Sequence, residues 1–292
     1  KIYDYFLIDG DGNNIVEIGN FRGSPDWSPD GRFIAVNCED DVYQLCILDV
    51  STIINRRKPP YYVIARLEPK TYHRIDIPSE CDGLVSADTG LESISWSPDG
   101  QQIAIVCGIA RTTREVTERK VCILSIDGSA SSCWCGDGFE VNSVSWSPVD
   151  HDLLLISTRD QDSSELYLVS VDGEVPLFLA SGNGGDWSPD GQQIAYYSLG
   201  TIKVINRNGS GEEVIYQDPD IAGDPGLFFY NCIYHWWCDI TWSPDGESIA
   251  FVATKVDLDT SIFRVALSTG DITDLTAFQP SHYANSHPSW GP

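Results

Sequence analysis

Short apolar runs, rich in β-branched and aromatic residues, recur along the chain, each preceded by a polar turn of nearly constant composition. The first member of each set is Phe33–Val36, Ile103–Val106, Leu153–Ile156, Ile194–Tyr197 or Ile249–Val252. A second run follows at Gln44–Leu48, Val121–Ile126, Glu165–Val171, Ile202–Asn206 and Ile262–Leu267. A further one closes some units, as at Val175–Leu179 and Glu213–Tyr216. Runs this short, bounded by Gly, Pro, Asp and Ser and lacking a 3.6-residue period, predict strands and an all-β chain.

The turn before each set is Trp-Ser-Pro-Asp-Gly, at Trp27–Gly31, Trp96–Gly100, Trp187–Gly191 and Trp242–Gly246. A degenerate copy stands at Trp146–Asp150, and Trp290-Gly291-Pro292 begins another. Successive Trp residues lie 69, 50, 41, 55 and 48 positions apart, about one four-stranded unit plus insertions. Pro has the φ a tight turn needs, Asp bonds nearby backbone, and Gly tolerates the exit geometry. Each copy therefore predicts a hairpin between an inner strand holding the Trp (strand a) and the apolar run after it (strand b), with strands c and d beyond.

These residues, with Ile34-Ala35-Val36, Ile103-Ala104-Ile105, Ile194-Ala195-Tyr196 and Ile249-Ala250-Phe251, resemble the WD-like repeat of TolB-type β-propellers. The resemblance spans nearly the whole chain. It implies a single domain over 1–292: a six-bladed β-propeller of four-stranded blades, blades one to five starting near Trp27, Trp96, Trp146, Trp187 and Trp242. The sixth blade is expected to be split, residues 1–20 supplying outer strands (Ile2–Asp9 and Ile15–Ile18) and residues 286–292 the inner one, so that the two ends close the ring. Its strand b is missing from the sequence, which leaves either further native residues or a three-stranded closing blade. The resemblance also implies protein–protein contact in a cell-envelope complex.

Charge narrows the partners. The 292 residues carry 43 acidic and 18 basic side chains, a formal net charge of −25. Such a surface repels phosphate backbones, so nucleic acid is not an expected partner. No apolar run approaches the length that spans a bilayer.

The repeats register the nine cysteines. Cys38 and Cys107 each fall eleven residues after their Trp, and Cys46 and Cys122 occupy equivalent places on strand c. The other blades carry Ser157, Ser198 and Ala253 at the first position and Tyr167, Lys203 and Phe263 at the second. Both members are Cys or neither is, and neighbouring antiparallel strands bring such side chains within bridging range. Disulfides are expected at Cys38–Cys46 and Cys107–Cys122, with Cys232–Cys238 a third and Cys81 reaching Cys133 or Cys135. That framework places the chain in an oxidising, extracellular or periplasmic compartment. Cys133-Trp134-Cys135 is too tight for a zinc knuckle.

In a four-stranded blade the b–c and d–a connections leave by one face. The long segments 68–90, 217–239 and 276–287 read as d–a connections and 108–120 as a b–c loop, so insertions crowd one rim, the expected place for recognition. On it lie Phe229, Tyr230, Tyr234, His235, Trp236 and Trp237, residue types favoured at binding hot spots, and the basic Arg111 and Arg114, followed by Arg119 and Lys120. The aromatic run reads either as a docking platform for protein or glycan or as a packed loop core. The basic run reads either as an anion or acidic-partner site or as a solvated face.

His73, His235, His282 and His287 fall in rim connections without a metal motif, and Asp9–Asn13 reads as Gly-rich turn chemistry rather than a calcium loop. Asn208-Gly209-Ser210 fits a glycosylation acceptor, a triplet common by chance. No Gly-x-Ser-x-Gly elbow is present, and no cofactor is expected. The expected function is a non-enzymatic binding or assembly module outside the cytoplasm, its partner a protein, a copy of itself or a glycan. The alternative is a propeller enzyme, either a metal-dependent sugar lyase or the propeller part of a larger hydrolase.

Overall fold

The Ser-Pro-Asp-Gly turn is the local unit from which the architecture follows. In the first copy Ser28 Oγ donates to Asp30 Oδ1 (2.7 Å) and accepts from Phe33 N–H (2.9 Å). Arg32 N–H donates to Asp30 Oδ1 (3.1 Å), and Gly31 N–H to Ser28 O (2.9 Å). The copies at Ser97, Ser188 and Ser243 repeat this set, with hydroxyl-to-carboxylate distances of 2.7, 2.6 and 2.5 Å. Gly31, Gly100, Gly191 and Gly246 all have φ between 66° and 72°, a region costly for a side chain bearing Cβ.

In this computed structural model the described residues are 3–8, 15–38, 44–51, 70–78, 93–112, 115–134, 140–159, 163–173, 176–217, 239–254, 260–276 and 288–291. The first sheet holds β1 (Tyr3–Ile8), β2 (Ile15–Trp27), β3 (Phe33–Asn37), β4 (Gln44–Asp49) and β5 (Lys70–Asp76). The second holds β6 (Ser93–Trp96), β7 (Gln102–Thr112), β8 (Glu115–Ser125) and β9 (Ser131–Trp134). The third is β10 (Val141–Trp146), β11 (Leu153–Arg159), β12 (Ser164–Ser170) and β13 (Leu177–Ser181). The fourth is β14 (Asn183–Trp187), β15 (Gln193–Ser198), β16 (Thr201–Asn206) and β17 (Glu213–Gln217). The fifth is β18 (Ile240–Trp242), β19 (Ser248–Thr254), β20 (Thr260–Ala266) and β21 (Ile272–Asp274). Sequential antiparallel neighbours in every sheet, with the Trp-bearing strands β2, β6, β10 and β14 packed in order and β14 against β18, make this a β-propeller.

Strand b of each blade is buried on both faces, which is why it reads as a continuous apolar run. On β7, Ile103, Ile105 and Cys107 face the first blade, packing with Ala35, Ile47 and Trp96, while Ala104 and Val106 face the third, packing with Val144 and Leu154. The core is thus a series of layers between blades. Each buried Ile or Leu contributes about 1.5–3 kcal/mol by leaving water. The small residue of the Ile-Ala pair (Ala35, Ala104, Ala195, Ala250) is at most 2% exposed and lets adjacent sheets approach closely.

Two expectations are corrected here. The described strands form five sheets, not six blades. β1 and the first half of β2 were expected in a separate sixth blade, but β2 runs unbroken into the inner strand of the first. Its residues 15–21 pair with β1, and Arg22 to Trp27 pair with β3, so five strands share one sheet. Residues 288–291, around Trp290, are not in a strand. The expected loop at 108–120 is also largely strand: β7 and β8 stay paired from Gln102↔Ser125 out to Thr112↔Glu115.

Candidate functional site: an axial polar ring and a hairpin arm

The residue before each repeat Trp is polar without exception: Asp26, Ser95, Ser145, Asp186, Thr241 and Ser289. The Trp itself packs on one face of its sheet, so alternation along the strand turns its neighbour to the opposite face, toward another blade. There these side chains join one blade to the next. Asp26 Oδ2 accepts the Trp96 N–H (2.8 Å), Ser95 Oγ the Trp146 N–H (2.9 Å), and Asp186 Oδ2 the Trp242 N–H (2.9 Å). Ser145 Oγ donates to Asp186 Oδ1 (3.0 Å), and Ser289 Oγ lies 3.5 Å from Asp26 Oδ1. Two residues earlier on the same strands, Ser93 Oγ accepts from Val144 N–H (3.2 Å) and Ser24 Oγ donates to Asp239 Oδ2 (3.1 Å).

Five of the six residues are half-buried, and Ser95 is buried. The electrostatics of the set are unusual. Burial pushes the Asp26 carboxyl up to about 7; the Trp96 N–H opposes the shift and the charge of Asp186 adds to it. Asp186 is raised by burial as well, against hydrogen bonds from Trp242, Ser145 and Thr241. No Lys or Arg stands among the six positions, and burial shifts both carboxyls toward their neutral form. Among the described residues no group of three or more His, Cys, Asp or Glu is placed to hold a metal ion.

The second feature is the β7–β8 arm. In the fourth blade the b–c connection is a two-residue turn, Leu199-Gly200, whereas in the second the hairpin continues to Thr112↔Glu115. Its base is fixed by Arg119, only 3% exposed. That guanidinium donates to Asn142 Oδ1 and lies 3.4 Å from Glu140 Oε1, both in the third blade. Arg119 is therefore an internal strut, not part of a solvated basic face. Arg111 lies on β7, and the tip residue Arg114 lies outside the described residues. So do Phe229, Tyr230, Tyr234, His235, Trp236, Trp237, Cys81, Cys135, Cys232 and Cys238, together with His235, His282 and His287 of the histidine set. His73, the remaining one, is half-buried on β5.

The cysteines divide. Cys38–Cys46 forms as expected, with Cα atoms 5.1 Å apart. The Cys107–Cys122 expectation is overturned: Cys122 bonds Cys133, with Cα atoms 4.1 Å apart. The Cys107 sulfur stops 3.7 Å from that of Cys122 and is itself disulfide-bonded. The cause is register. Cys122 stands diagonally from Cys107, across from Ile105, but directly opposite Cys133 on β9. The expected Cys81–Cys133 alternative falls with it.

Sequence reasoning missed the axial ring. Its signal was present, a polar residue before every repeat Trp, where a strand buried on both faces would carry an apolar one.

No protein-family model matches the chain. Solved structures similar to it include the putative TolB from Agrobacterium tumefaciens, 18% identical, with TM-score 0.60 over 90% of this chain and 84% of that one. An oligogalacturonate lyase in complex with manganese is 13% identical, with TM-score 0.56 over 92% and 69%. A chain of a nidogen/laminin complex is 12% identical, with TM-score 0.60 over 92% and 87%. These likenesses establish the fold as that of TolB-type β-propellers. In sequence, the chain is 22% identical over 212 residues to the uncharacterized peptidase YuxL of Bacillus subtilis (strain 168), matching 68% of this chain and 29% of that protein. It thus spans less than a third of the peptidase's length.

Proposed function

We propose that the chain is a non-enzymatic binding or assembly module working outside the cytoplasm, extracellular or periplasmic. It engages a protein partner, or a further copy of itself, through the face that carries the b–c and d–a connections. The observation that carries this reading is the β7–β8 arm: a paired hairpin projecting from that face and pinned at its base by Arg119 to Asn142 and Glu140. A preorganised projection loses little conformational freedom on docking, which favours binding. Arg111 and Arg114 of the arm and the aromatic segment from Phe229 to Trp237 are the proposed contact residues. The disulfides Cys38–Cys46 and Cys122–Cys133 support an oxidising compartment. Ser289 beside Asp26 and Gly291 against the Trp27 ring hold the segment around Trp290 on the first blade. A TolB and a nidogen/laminin complex among similar folds agree with a protein-binding role.

The second reading is enzymatic, favoured by the similarity to an oligogalacturonate lyase with manganese and to part of a peptidase. The test replaces residues 109–118 by a short Asn-Gly turn and compares complexes of the purified native protein by size and cross-linking. A stoichiometric partner lost with the arm supports the module. Manganese-dependent cleavage of an acidic oligosaccharide, unchanged without the arm, overturns it in favour of the enzyme.

A further inference from the structure

We infer that Asn208 is an N-glycosylation site, taking an oligosaccharide from a lipid-pyrophosphate-linked donor. The inference rests on the extracytoplasmic reading above. Asn208-Gly209-Ser210 is the one Asn-x-Ser/Thr triplet in the sequence, and all three residues are exposed. They form the turn between β16 and β17. Gly209 N–H donates to Asn206 O (2.8 Å), Asn206 N–H to Ser210 O (3.0 Å), and Gly209 has φ +80°.

Within the turn the Asn208 carboxamide and the Ser210 hydroxyl lie side by side. Ser210 N–H and Oγ–H both donate to Asn208 Oδ1, at 3.0 and 2.7 Å, while Asn206 Nδ2 donates to Ser210 Oγ (3.1 Å). The two bonds that involve Asn208 both use its oxygen, so its Nδ2, the atom that would be modified, is not engaged by them. Space is available too: a methyl group placed on Gly209 would meet nothing nearer than Leu179 at 4.0 Å.

The other blades show that the turn does not require the amide. The equivalent turn of the second blade is Asp127-Gly128-Ser129, where Ser129 N–H donates to Asp127 Oδ1 (2.9 Å) and Gly128 has φ +72°. The third blade has Asp172-Gly173, and the fifth Thr269-Gly270, with Asp271 N–H on Thr269 Oγ1 (3.2 Å). An acceptor oxygen is all the turn needs, and a carboxylate supplies it. The carboxamide nitrogen at 208 is chemistry beyond what the fold demands.

In the reaction a bond forms between Asn208 Nδ2 and the anomeric carbon of the donor sugar. The bond from that carbon to the pyrophosphate oxygen breaks, the lipid pyrophosphate leaves with its electron pair, and Nδ2 gives up one proton. Nothing is oxidised or reduced.

The test is mass spectrometry of the native protein from its own host, under non-reducing conditions, before and after peptide:N-glycosidase. The expected result is a glycan mass lost on treatment, with the Asn208 carboxamide converted to a carboxylate, and no such loss in Asn208→Asp or Ser210→Ala. Asn208→Asp keeps the turn's acceptor and so controls for misfolding. A peptide containing unmodified Asn208 in a protein whose disulfides are intact overturns the site and leaves the compartment reading standing. Reduced thiols together with unmodified Asn208 overturn both.

Discussion

The first and second blades carry the same pair of cysteines on strands b and c, yet only one of them joins that pair. In each, the strand-b cysteine stands diagonally from its strand-c counterpart: Cys46 lies opposite Val36, and Cys122 opposite Ile105. What differs is strand d. Cys46 faces Arg74, whereas Cys122 faces Cys133. A diagonal pair bridges where nothing better is offered and yields to a directly opposed thiol where one exists. Internal symmetry therefore predicts which positions are near each other, but bonding also depends on the third strand. The same two blades solve a second problem differently. Both hold the N–H of the next blade's Trp, one with the carboxyl of Asp26 and the other with the hydroxyl of Ser95.

The largest expected effect comes from removing the bridges. Cys122→Ala with Cys133→Ala should cost about 3 kcal/mol in urea unfolding, and Cys38→Ala with Cys46→Ala nearly as much. The closed segments span 11 and 8 residues, so loop entropy separates the two by only about 0.3 kcal/mol. A much larger gap would show that the two bridges are not comparable.

Asp26→Asn sharpens the contrast between carboxyl and hydroxyl. The folded-state Asp26 carboxyl is raised to about 7 from 3.8, so the native protein binds more protons than the unfolded one between those values. Its contribution is therefore favourable in mild acid and is lost as pH rises through 7. That amounts to roughly 2.6 kcal/mol between pH 5 and pH 8. Wild-type melting points should fall over that range, and the Asn variant, which cannot ionise, should fall less. Equal slopes would refute the raised carboxyl. Ser95→Ala, which deletes only a neutral acceptor, should cost about 1 kcal/mol with no change in slope.

The smallest effect on stability, under about 1 kcal/mol, belongs to Arg74→Cys, which gives the first blade the third cysteine of the second. Peptide mapping should then find Cys46 bonded to the new position, with Cys38 displaced. Retention of Cys38–Cys46 alone would mean that register does not govern the choice.

The turns and strands were legible because each copy of the pentapeptide carries its own geometry, and because strand b is apolar on both faces. Cys38–Cys46 was legible from repeat alignment. Cys122–Cys133 was not, because strand d is short and polar and its register against β8 has no marker in the sequence. β2 was misread for a related reason: two half-strands serving different neighbours look alike whether or not the chain breaks between them. The arm at 108–120 was taken for a loop because its charged residues mask a pairing set by backbone alone. The axial ring was overlooked because one Ser or Asp before a Trp is unremarkable in isolation and acquires meaning only when six are aligned.

The turn has one more consequence. Its hydrogen bonds begin and end within six residues, from Ser28 to Phe33, and none reaches another blade. Gene duplication can therefore copy a blade with its folding signal already complete, and a copy can drift without disturbing the others. The third blade departs from the others without losing its turn: Val149-Asp150 stands where they have Asp-Gly, Ser147 Oγ receives the Asp150 N–H (3.1 Å), and Asp150 Oδ1 the Asp152 N–H (3.2 Å). A lineage built on this unit can change its number of blades and decorate each connection independently, because heredity acts here on interchangeable parts.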